Sequence, residues 1–367
     1  MSFGLIYSAN WNTDTKTLTF SDKDGNTIYS CIVDIAPQPL VDDPTKPLYF
    51  LSKENGSTVE IRQYNSSDSF EVSTDGTSWE AATKNSPYTL DTGEGIYVRA
   101  ASARSSFPTT NTNTKMLRFL FTGTVEAWNN VNSVLSPDFV NISDLTAIGT
   151  HCLRGLFSRK LNDSDYDTAL IKPPLFPALT LSESCYQHAF YGCQALAQCA
   201  TISAITLAYR ACRAMYYECI DLTEAVLPPA LTVTSHAYSN MFKNCTGLTS
   251  IQSFPFTAFD LTGISHCGEM FSGCTGLTIA PELKPVTIIS SSAVDCSYYR
   301  MFYGCSALHE VTIHAQSPSP TDPITIDGWL YGVAATGDFY CDPSTAFIVD
   351  SASGIPQGWT VRQIPTP

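Results

Sequence analysis

The segment CGEMFSGCTGL at residues 267–277 contains the pattern that decides the predicted fold. Its apolar residues lie at offsets 0, 3, 4, 7 and 10, which is one stripe of a helix about three turns long. Glycine in the last turn is typical of a helix that ends there. The stretch that follows, residues 280–288, combines prolines with β-branched residues, which suits a short strand but not a long ladder. The segment predicts one unit of helix, turn and short strand.

The same unit recurs along the middle of the chain. An aromatic residue returns at intervals of 33, 26, 26, 29 and 31 residues, at Phe157, Phe190, Tyr216, Phe242, Phe271 and Phe302. A cysteine and then a leucine follow it at +3 and +6 in five copies, at Cys193, Cys219, Cys245, Cys274 and Cys305 and at Leu196, Leu222, Leu248, Leu277 and Leu308. A second cysteine lies four to six residues before it in five copies, at Cys152, Cys185, Cys212, Cys267 and Cys296. One such unit cannot bury its apolar face alone, so stacked units are expected to form an α/β solenoid with these residues in its core.

The run MF-x-x-C-x-x-L, with Pro-x-Leu before it, resembles the BspA-like, Treponema-type leucine-rich repeats over roughly residues 140–330. The resemblance implies a leucine-rich repeat solenoid of helices and short parallel strands that serves as an adhesion or interaction scaffold. The tail from Gly328 to Val361 resembles the segment that closes such arrays. The phrase STDGTSWEAAT, at residues 73–83, resembles small β domains that accompany these repeats in gut-bacterial and phage proteins.

The remaining sequence predicts five segments. Residues 1–33 read as a β-hairpin or anchor around Asp24-Gly25, and the prolines of residues 34–47 indicate a stiff linker. Strand patterns between turn signals predict a small β-sandwich over residues 48–125. The repeat solenoid occupies residues 126–330, and residues 331–367 form a C-terminal cap.

The net charge and the hydropathy of the chain argue against several classes of function. The chain has 20 basic and 34 acidic residues, a net charge of −14, which argues against binding nucleic acid or lying on an anionic membrane. No run approaches the ~18 apolar residues of a spanning helix, so membrane insertion is not expected. The amino terminus lacks the basic start and apolar stretch of a signal peptide.

Motifs for catalysis, metals or cofactors are not found. The chain has no C-x-x-C pair, which argues against zinc, and no nucleophile elbow, phosphate-binding loop or H-E-x-x-H motif. The sequences His151-Cys152 and His266-Cys267 suggest a Cys–His dyad, but both cysteines fall at a core phase of the repeat. The cysteines are read mainly as small buried residues, with occasional disulfides left open. Asp163, Asp165 and Asp167 leave a weak calcium site open beside the simpler reading of a solvated loop. No catalytic residue, metal or cofactor is predicted.

Tyrosines around the repeats carry the remaining hint of function. Most are expected to fill the core, whereas aromatic residues displayed periodically with few charges are what carbohydrate and protein binders use. They are Tyr186, Tyr191, Tyr216, Tyr217, Tyr298, Tyr299 and Tyr303.

We therefore expect a non-enzymatic structural or binding protein. The missing signal and the resemblance favour a bacteriophage virion component, a head or tail fibre or decoration protein assembled in the host cytoplasm. Residues 1–47 would attach to other virion proteins, and the repeat domain would bind a host-surface protein or glycan. Fibre proteins are often homotrimers, although no heptad pattern supports a coiled coil here. A bacterial surface adhesin is the alternative, and a glycan-active enzyme, which needs two converging carboxylates, is disfavoured.

Overall fold

A computed structural model describes most of the chain. The described residues are 8–12, 17–21, 23–32, 40–63, 67–105, 107, 116–158, 166–252, 266–283, 298–314, 326–343, 347–349 and 352–364. The chain forms two compact units, Met1–Val41 and Asp42–Pro367. Cys296, residues 34–39 of the proline-rich linker and the Asp163/Asp165 pair lie outside the described residues. The finer domain boundaries drawn from the sequence stay predictions.

The first unit contains a three-stranded antiparallel sheet. Its strands are β1 (Ser8–Asn12), β2 (Thr17–Ser21) and β3 (Thr27–Ile32), in the order β1-β2-β3. The turn between β2 and β3 includes Gly25, whose φ of 86° lies in the left-handed region that glycine adopts without steric cost. The hairpin predicted around Asp24-Gly25 is therefore present, with one additional strand.

The second unit begins with a β module of two packed sheets. One sheet has the order β10-β5-β8, and the other, which extends into the solenoid, has the order β12-β11-β4-β9-β6-β7. Phe50 on β4 packs its ring 4.8 Å from that of Phe119 on β10, so the two sheets share one apolar core. The strands are β4 (Leu48–Ser52), β5 (Ser57–Gln63), β6 (Phe70–Ser73), β7 (Glu80–Ala81), β8 (Pro87–Leu90), β9 (Gly95–Ala100), β10 (Leu117–Thr122), β11 (Val125–Trp128) and β12 (Leu170–Lys172).

The β module closes the first coil of the repeat region. Strand β11 pairs antiparallel with β4 and parallel with β12, so one sheet crosses from the module into the repeats. The rings of Phe119 and Phe121 lie 5.9 and 6.4 Å from that of Phe157, the first repeat aromatic. An uncapped solenoid would expose an apolar end, and the module covers it.

The repeat region is a β-solenoid of about five turns, so the prediction of an α/β leucine-rich repeat is wrong. The residues that the structure describes contain no α-helix; the only helical segments there are the 3₁₀ turns Val131–Val134 and Phe139–Asn141. Short parallel strands connect neighbouring coils. They are β13 (Thr180–Leu181), β14 (Thr206–Leu207), β15 (Glu224–Ala225), β16 (Thr232–Val233), β17 (Ser250–Ile251), β18 (Glu310–Ile313), β19 (Gly337–Cys341) and β20 (Trp359–Gln363).

The segments predicted as helices are chains of overlapping turns. The amide of Phe190 donates to the carbonyl of Met215 on the next coil at 2.9 Å, and the amide of Tyr191 donates to the carbonyl of His188 three residues back at 3.1 Å. Such alternation continues along the coil, so every second amide joins one coil to the next. An α-helix would instead direct every amide to the fourth residue back.

A left-handed residue at every fourth position prevents the helix. Ser184, His188 and Gly192 have φ values of 56°, 59° and 77°, which place them at the third position of successive type II turns. The resulting period of four residues differs from the helical 3.6 by only about one residue over three turns. An apolar pattern of eleven residues therefore fits both structures.

Aromatic residues from successive coils stack along the interior. The centroids of the Phe190 and Tyr216 rings lie 5.4 Å apart with an interplanar angle of 2°, and the next pair, Tyr216 and Phe242, repeats this geometry at 5.4 Å and 6°. The column continues through Phe271 and Phe302 at 5.6 and 5.8 Å. Each coil thus buries its aromatic ring between the rings of its neighbours.

The turn ladder continues beyond the last predicted repeat. The amide of Phe302 donates to the carbonyl of Trp329 at 2.9 Å, which aligns Leu330 with the aromatic column. Trp329 is buried, and its indole N–H donates to the carbonyl of Gly354 at 3.2 Å. The amide of Gly304 also donates to the carbonyl of Tyr331 at 2.7 Å, so the start of the segment predicted as a cap belongs to a further coil.

Candidate functional site

The predicted repeat residues lie inside the solenoid. All of those within the described part of the chain are at most 3% exposed. They are Cys152, Phe157, Cys185, Phe190, Cys193, Leu196, Cys212, Tyr216, Cys219, Leu222, Phe242, Cys245, Leu248, Cys267, Phe271, Cys274, Leu277, Phe302, Cys305 and Leu308. These side chains form the core and are unavailable to a ligand.

The cysteines that follow each aromatic have a structural role. Each thiol donates to the backbone carbonyl of the aromatic residue one coil earlier. For Cys245 the acceptor is the carbonyl of Tyr216, 3.0 Å from Sγ. The same contact spans 3.0 to 3.3 Å in the column Cys193, Cys219, Cys245, Cys274 and Cys305. Alanine or valine would pack here but could not donate this bond.

Burial makes these thiols poor nucleophiles. It raises the pKa of Cys219 and Cys274 well above the ordinary value, and that of Cys305 to about 12. Since the thiolate is the reactive form, the column is chemically inert.

The proposed Cys–His dyads are not assembled for catalysis. Burial acts to raise the pKa of Cys152, but its hydrogen bond with Cys185 and the nearby Arg104 charge outweigh burial and lower it. The Cys152 residue is only 3% exposed, so a substrate has no access to the sulfur. Cys267 is fully buried, and burial raises its pKa to about 12.

The tyrosines separate into two groups. Tyr186, Tyr216 and Tyr298 are buried, as expected for core residues. Tyr191 and Tyr217 are half-buried on the outside of the coil, and their rings stack 4.9 Å apart. The rings of Tyr303 and Tyr331 likewise stack at 5.2 Å. The outer tyrosines therefore form short ladders rather than isolated platforms.

A cleft of about 660 Å³ opens on the β module. Aromatic side chains form part of its lining, with hydroxyls and carboxylates around them. The aromatic members are Tyr49, Trp79 and Tyr88, and the polar members include Ser73, Thr74, Ser78, Glu80, Thr89 and Glu94. A half-open cleft of this mixed lining suits a molecule with one apolar face and many hydroxyl groups.

Neighbouring contacts fix the rings of the cleft. The guanidinium of Arg99 lies 3.9 Å from the centre of the Trp79 ring and pairs with Glu71 at 2.7 Å. The Tyr49 ring lies 4.4 Å from that of Tyr97 and rests against Gly95, where any side chain would collide with it. Burial raises the pKa of Tyr49, which keeps its hydroxyl protonated as a donor. The cleft is therefore preorganised.

Metal binding finds no support in the described ranges. No group of three or more His, Cys, Asp or Glu side chains there is placed to hold a metal ion. Asp167, a candidate calcium ligand, is 1% exposed and accepts the amides of Ala169 and Leu170 at 2.9 and 3.0 Å. It closes a turn. No helix in that same part of the chain has the length and apolar character needed to cross a membrane.

Comparison of the chain with protein-family models, curated proteins and solved structures finds no match. Function therefore has to be argued from the site. Sequence reasoning missed the cleft because its residues come from strands that pair in different sheets. The turn signal Gly93-Glu94-Gly95 was visible in the sequence, and these three residues line the cleft.

Proposed function

We propose that this protein is a non-enzymatic structural and binding protein whose cleft on the β module binds a saccharide. The main support for this proposal is that three aromatic rings line one cleft among hydroxyls and carboxylates. They are Tyr49, Trp79 and Tyr88. Aromatic faces pack on the apolar faces of sugar rings, while hydroxyl and carboxylate groups bind the sugar hydroxyls.

The solenoid serves as the scaffold in this proposal. Its coils are joined by backbone hydrogen bonds and by a continuous interior column of stacked rings. Such a repeat array is extended by adding coils, because each coil contacts only its neighbours. A β-solenoid is compatible with a fibre-like structural protein.

The biological setting follows as part of the proposal. The protein would be a fibre-like component of a phage virion, with its first unit, Met1–Val41, binding other virion proteins. The cleft, rather than a leucine-rich repeat surface, would bind a host-surface or mucus glycan. The same binding chemistry would serve a bacterial surface adhesin.

A glycan-binding screen with a matched variant tests the cleft. Trp79→Ala removes the ring that Arg99 fixes, and we expect a bound neutral oligosaccharide to lose about tenfold or more in affinity. Tyr331→Ala is the control, since it removes a tyrosine that is 49% exposed and remote from the cleft lining. Equal binding by wild type and Trp79→Ala would contradict the proposal.

Two further outcomes separate the alternatives. Deletion of Met1–Val41 should leave saccharide binding intact and abolish incorporation into particles, and unchanged incorporation would count against the anchoring role. Release of reducing sugar from a bound glycan would show catalysis and overturn the non-enzymatic assignment.

A further inference from the structure

A column of left-handed residues along the solenoid carries polar and basic side chains, buried at His151 and Ser184 and partly exposed at Arg210 and His236. Hydrogen bonds between coils align His151, Ser184, Arg210 and His236 on four successive coils. Their φ values are 58°, 56°, 56° and 60°. Four residues further along each coil, His188 has a φ of 59° in a second left-handed column.

These residue types are unusual for that backbone. The left-handed region places Cβ close to the following carbonyl in all L-residues, and glycine or asparagine is the ordinary occupant. A third left-handed column of this solenoid holds Gly192, Asn244, Gly273 and Gly304, with Glu218 aligned between Gly192 and Asn244. Histidine and arginine at such positions cost free energy, as do Ala214 and Glu269 further along the second column, so a role for the basic side chains rests on their surroundings.

The side chains gather positive charge in an acidic protein. Burial lowers the pKa of Arg213, and the charge of Arg210 lowers it further. Burial lowers the pKa of His188 to about 3, with the charges of Arg154 and Arg213 adding to the effect. Of the nearby carboxylates, Glu269 is already bound to Lys243 at 2.8 Å.

Hydrogen-bonding groups in the same place lack partners. Gln187 aligns with Arg213 on the next coil and is fully buried, yet neither its amide nitrogen nor its amide oxygen has a partner within the described residues. The same holds for Nδ1 of His188 and Nε of Arg210. Buried donors are nearly always satisfied, so unpaired groups on two neighbouring coils distinguish this part of the solenoid.

We propose that the partly exposed Arg210 and Arg213 bind an anionic group of an acidic saccharide, a sulfate or a carboxylate; together with Gln187 and His188 they are named the basic cluster. Two guanidinium groups supply the directed donors that such oxyanions accept. The stacked rings of Tyr191 and Tyr217 lie alongside, with Tyr191 5.6 Å from the His188 ring, and offer an apolar face to the sugar.

The cluster fits a short ligand better than a long polyanion. With a net charge of −14, a nucleic acid that extended beyond the cluster would meet an acidic surface. This site is separate from the cleft of the β module and does not depend on it.

Calorimetric titration of the full chain tests the proposal with three probes: a sulfated oligosaccharide, a polyuronate oligosaccharide and neutral dextran. We expect at least one acidic probe to bind and dextran not to compete with it. Arg213→Gln and Arg210→Asn should each weaken binding by about tenfold, because each removes a charge-assisted hydrogen bond. Asparagine tolerates the left-handed backbone at position 210, so the second variant keeps the fold.

Two controls keep the outcomes distinct. Arg362→Gln removes an exposed arginine that pairs with Asp338 at 2.7 Å and should bind the acidic probe like wild type. Trp79→Ala disables the cleft, so binding of the acidic probe that persists in this variant is assigned to the basic cluster. Binding of neither acidic probe, wild-type affinity in both cluster variants, or preferential binding of a DNA oligonucleotide would overturn the proposal. A preference between the two acidic probes identifies the anion.

Discussion

The inner and outer faces of one coil follow opposite rules. Inside, a column repeats one kind of residue, as in the rings of Phe190, Tyr216 and Phe242, because each ring must match its neighbours. Along the left-handed column the residue changes from histidine to serine to arginine on successive coils. Uniformity in the inner column therefore reflects packing, and the variation along the left-handed column underlies our proposal of a second binding site.

The largest expected effect breaks the inner column. Phe242→Ala removes a fully buried ring between two stacked neighbours and should lower the free energy of unfolding by about 3–5 kcal/mol. Urea denaturation measures this change. Tyr331→Ala, at an exposed ring, should lower it by less than about 1 kcal/mol, and similar losses in both variants would show that the rings do not form a packed column.

The next prediction concerns pH and the edge of the basic cluster. The pKa of His188 lies below its unfolded value in the folded protein, so the unfolded chain binds the extra proton. The contribution of His188 to the free energy of unfolding is therefore complete at pH values above the pKa of the unfolded histidine. It is lost progressively as the pH drops from about 6.5 towards about 3. Between about pH 7 and pH 5 this histidine should remove up to about 2 kcal/mol.

Urea denaturation of wild type and His188→Asn at the two pH values isolates that contribution. Asparagine keeps the left-handed backbone and does not titrate. The variant should lose less stability than wild type on acidification. An identical loss in both proteins would mean that His188 is not held neutral by its surroundings.

Two buried cysteines allow the hydrogen bond of the thiol to be measured apart from its packing, with a smaller expected effect on stability. Cys245→Ala removes a thiol that donates to the Tyr216 carbonyl, whereas Cys267→Ala removes a fully buried thiol with no such bond among the described contacts. Both variants lose similar volume, so the difference between them, about 1 kcal/mol, measures the hydrogen bond. Equal losses of stability would assign the cysteines to packing alone.

The smallest effect has the opposite sign. Arg210→Gly relieves the left-handed strain at φ 56° but makes the unfolded chain more flexible. The free energy of unfolding should therefore rise by only about 0.5 kcal/mol. Binding of the acidic saccharide should weaken in the same variant. A loss of stability would show that Arg210 supports the fold rather than a ligand.

The sequence pattern correctly predicted which repeat residues are buried. It predicted the wrong backbone conformation for the segments that carry them. The phases of Phe271, Cys274 and Leu277 identified the core because apolar spacing reports on burial. The same spacing could not separate a helix from turns of period four, and Gly273 was read as a helix end although it marks a recurring left-handed position. Leu330 was missed because its coil has valine in place of the cysteine.

The two proposed binding sites could not be predicted from the sequence for a different reason. The cleft joins strands from different sheets, and the basic cluster joins residues more than twenty positions apart, such as Gln187 and Arg213. Only the register of the coils brings such residues together. Local patterns carry no information about that register until the coil length is known.

The most direct test of the stacked-coil register is a cross-link between Tyr191→Cys and Tyr217→Cys. In the solenoid these positions align on adjacent coils about 4.8 Å apart, within disulfide range, whereas side-by-side helices would separate them by about 8–10 Å. We predict that mild oxidation yields a disulfide between residues 191 and 217, identified by peptide mass spectrometry, and none between Tyr191→Cys and Lys243→Cys two coils away. Absence of the first cross-link in the folded protein would contradict the account.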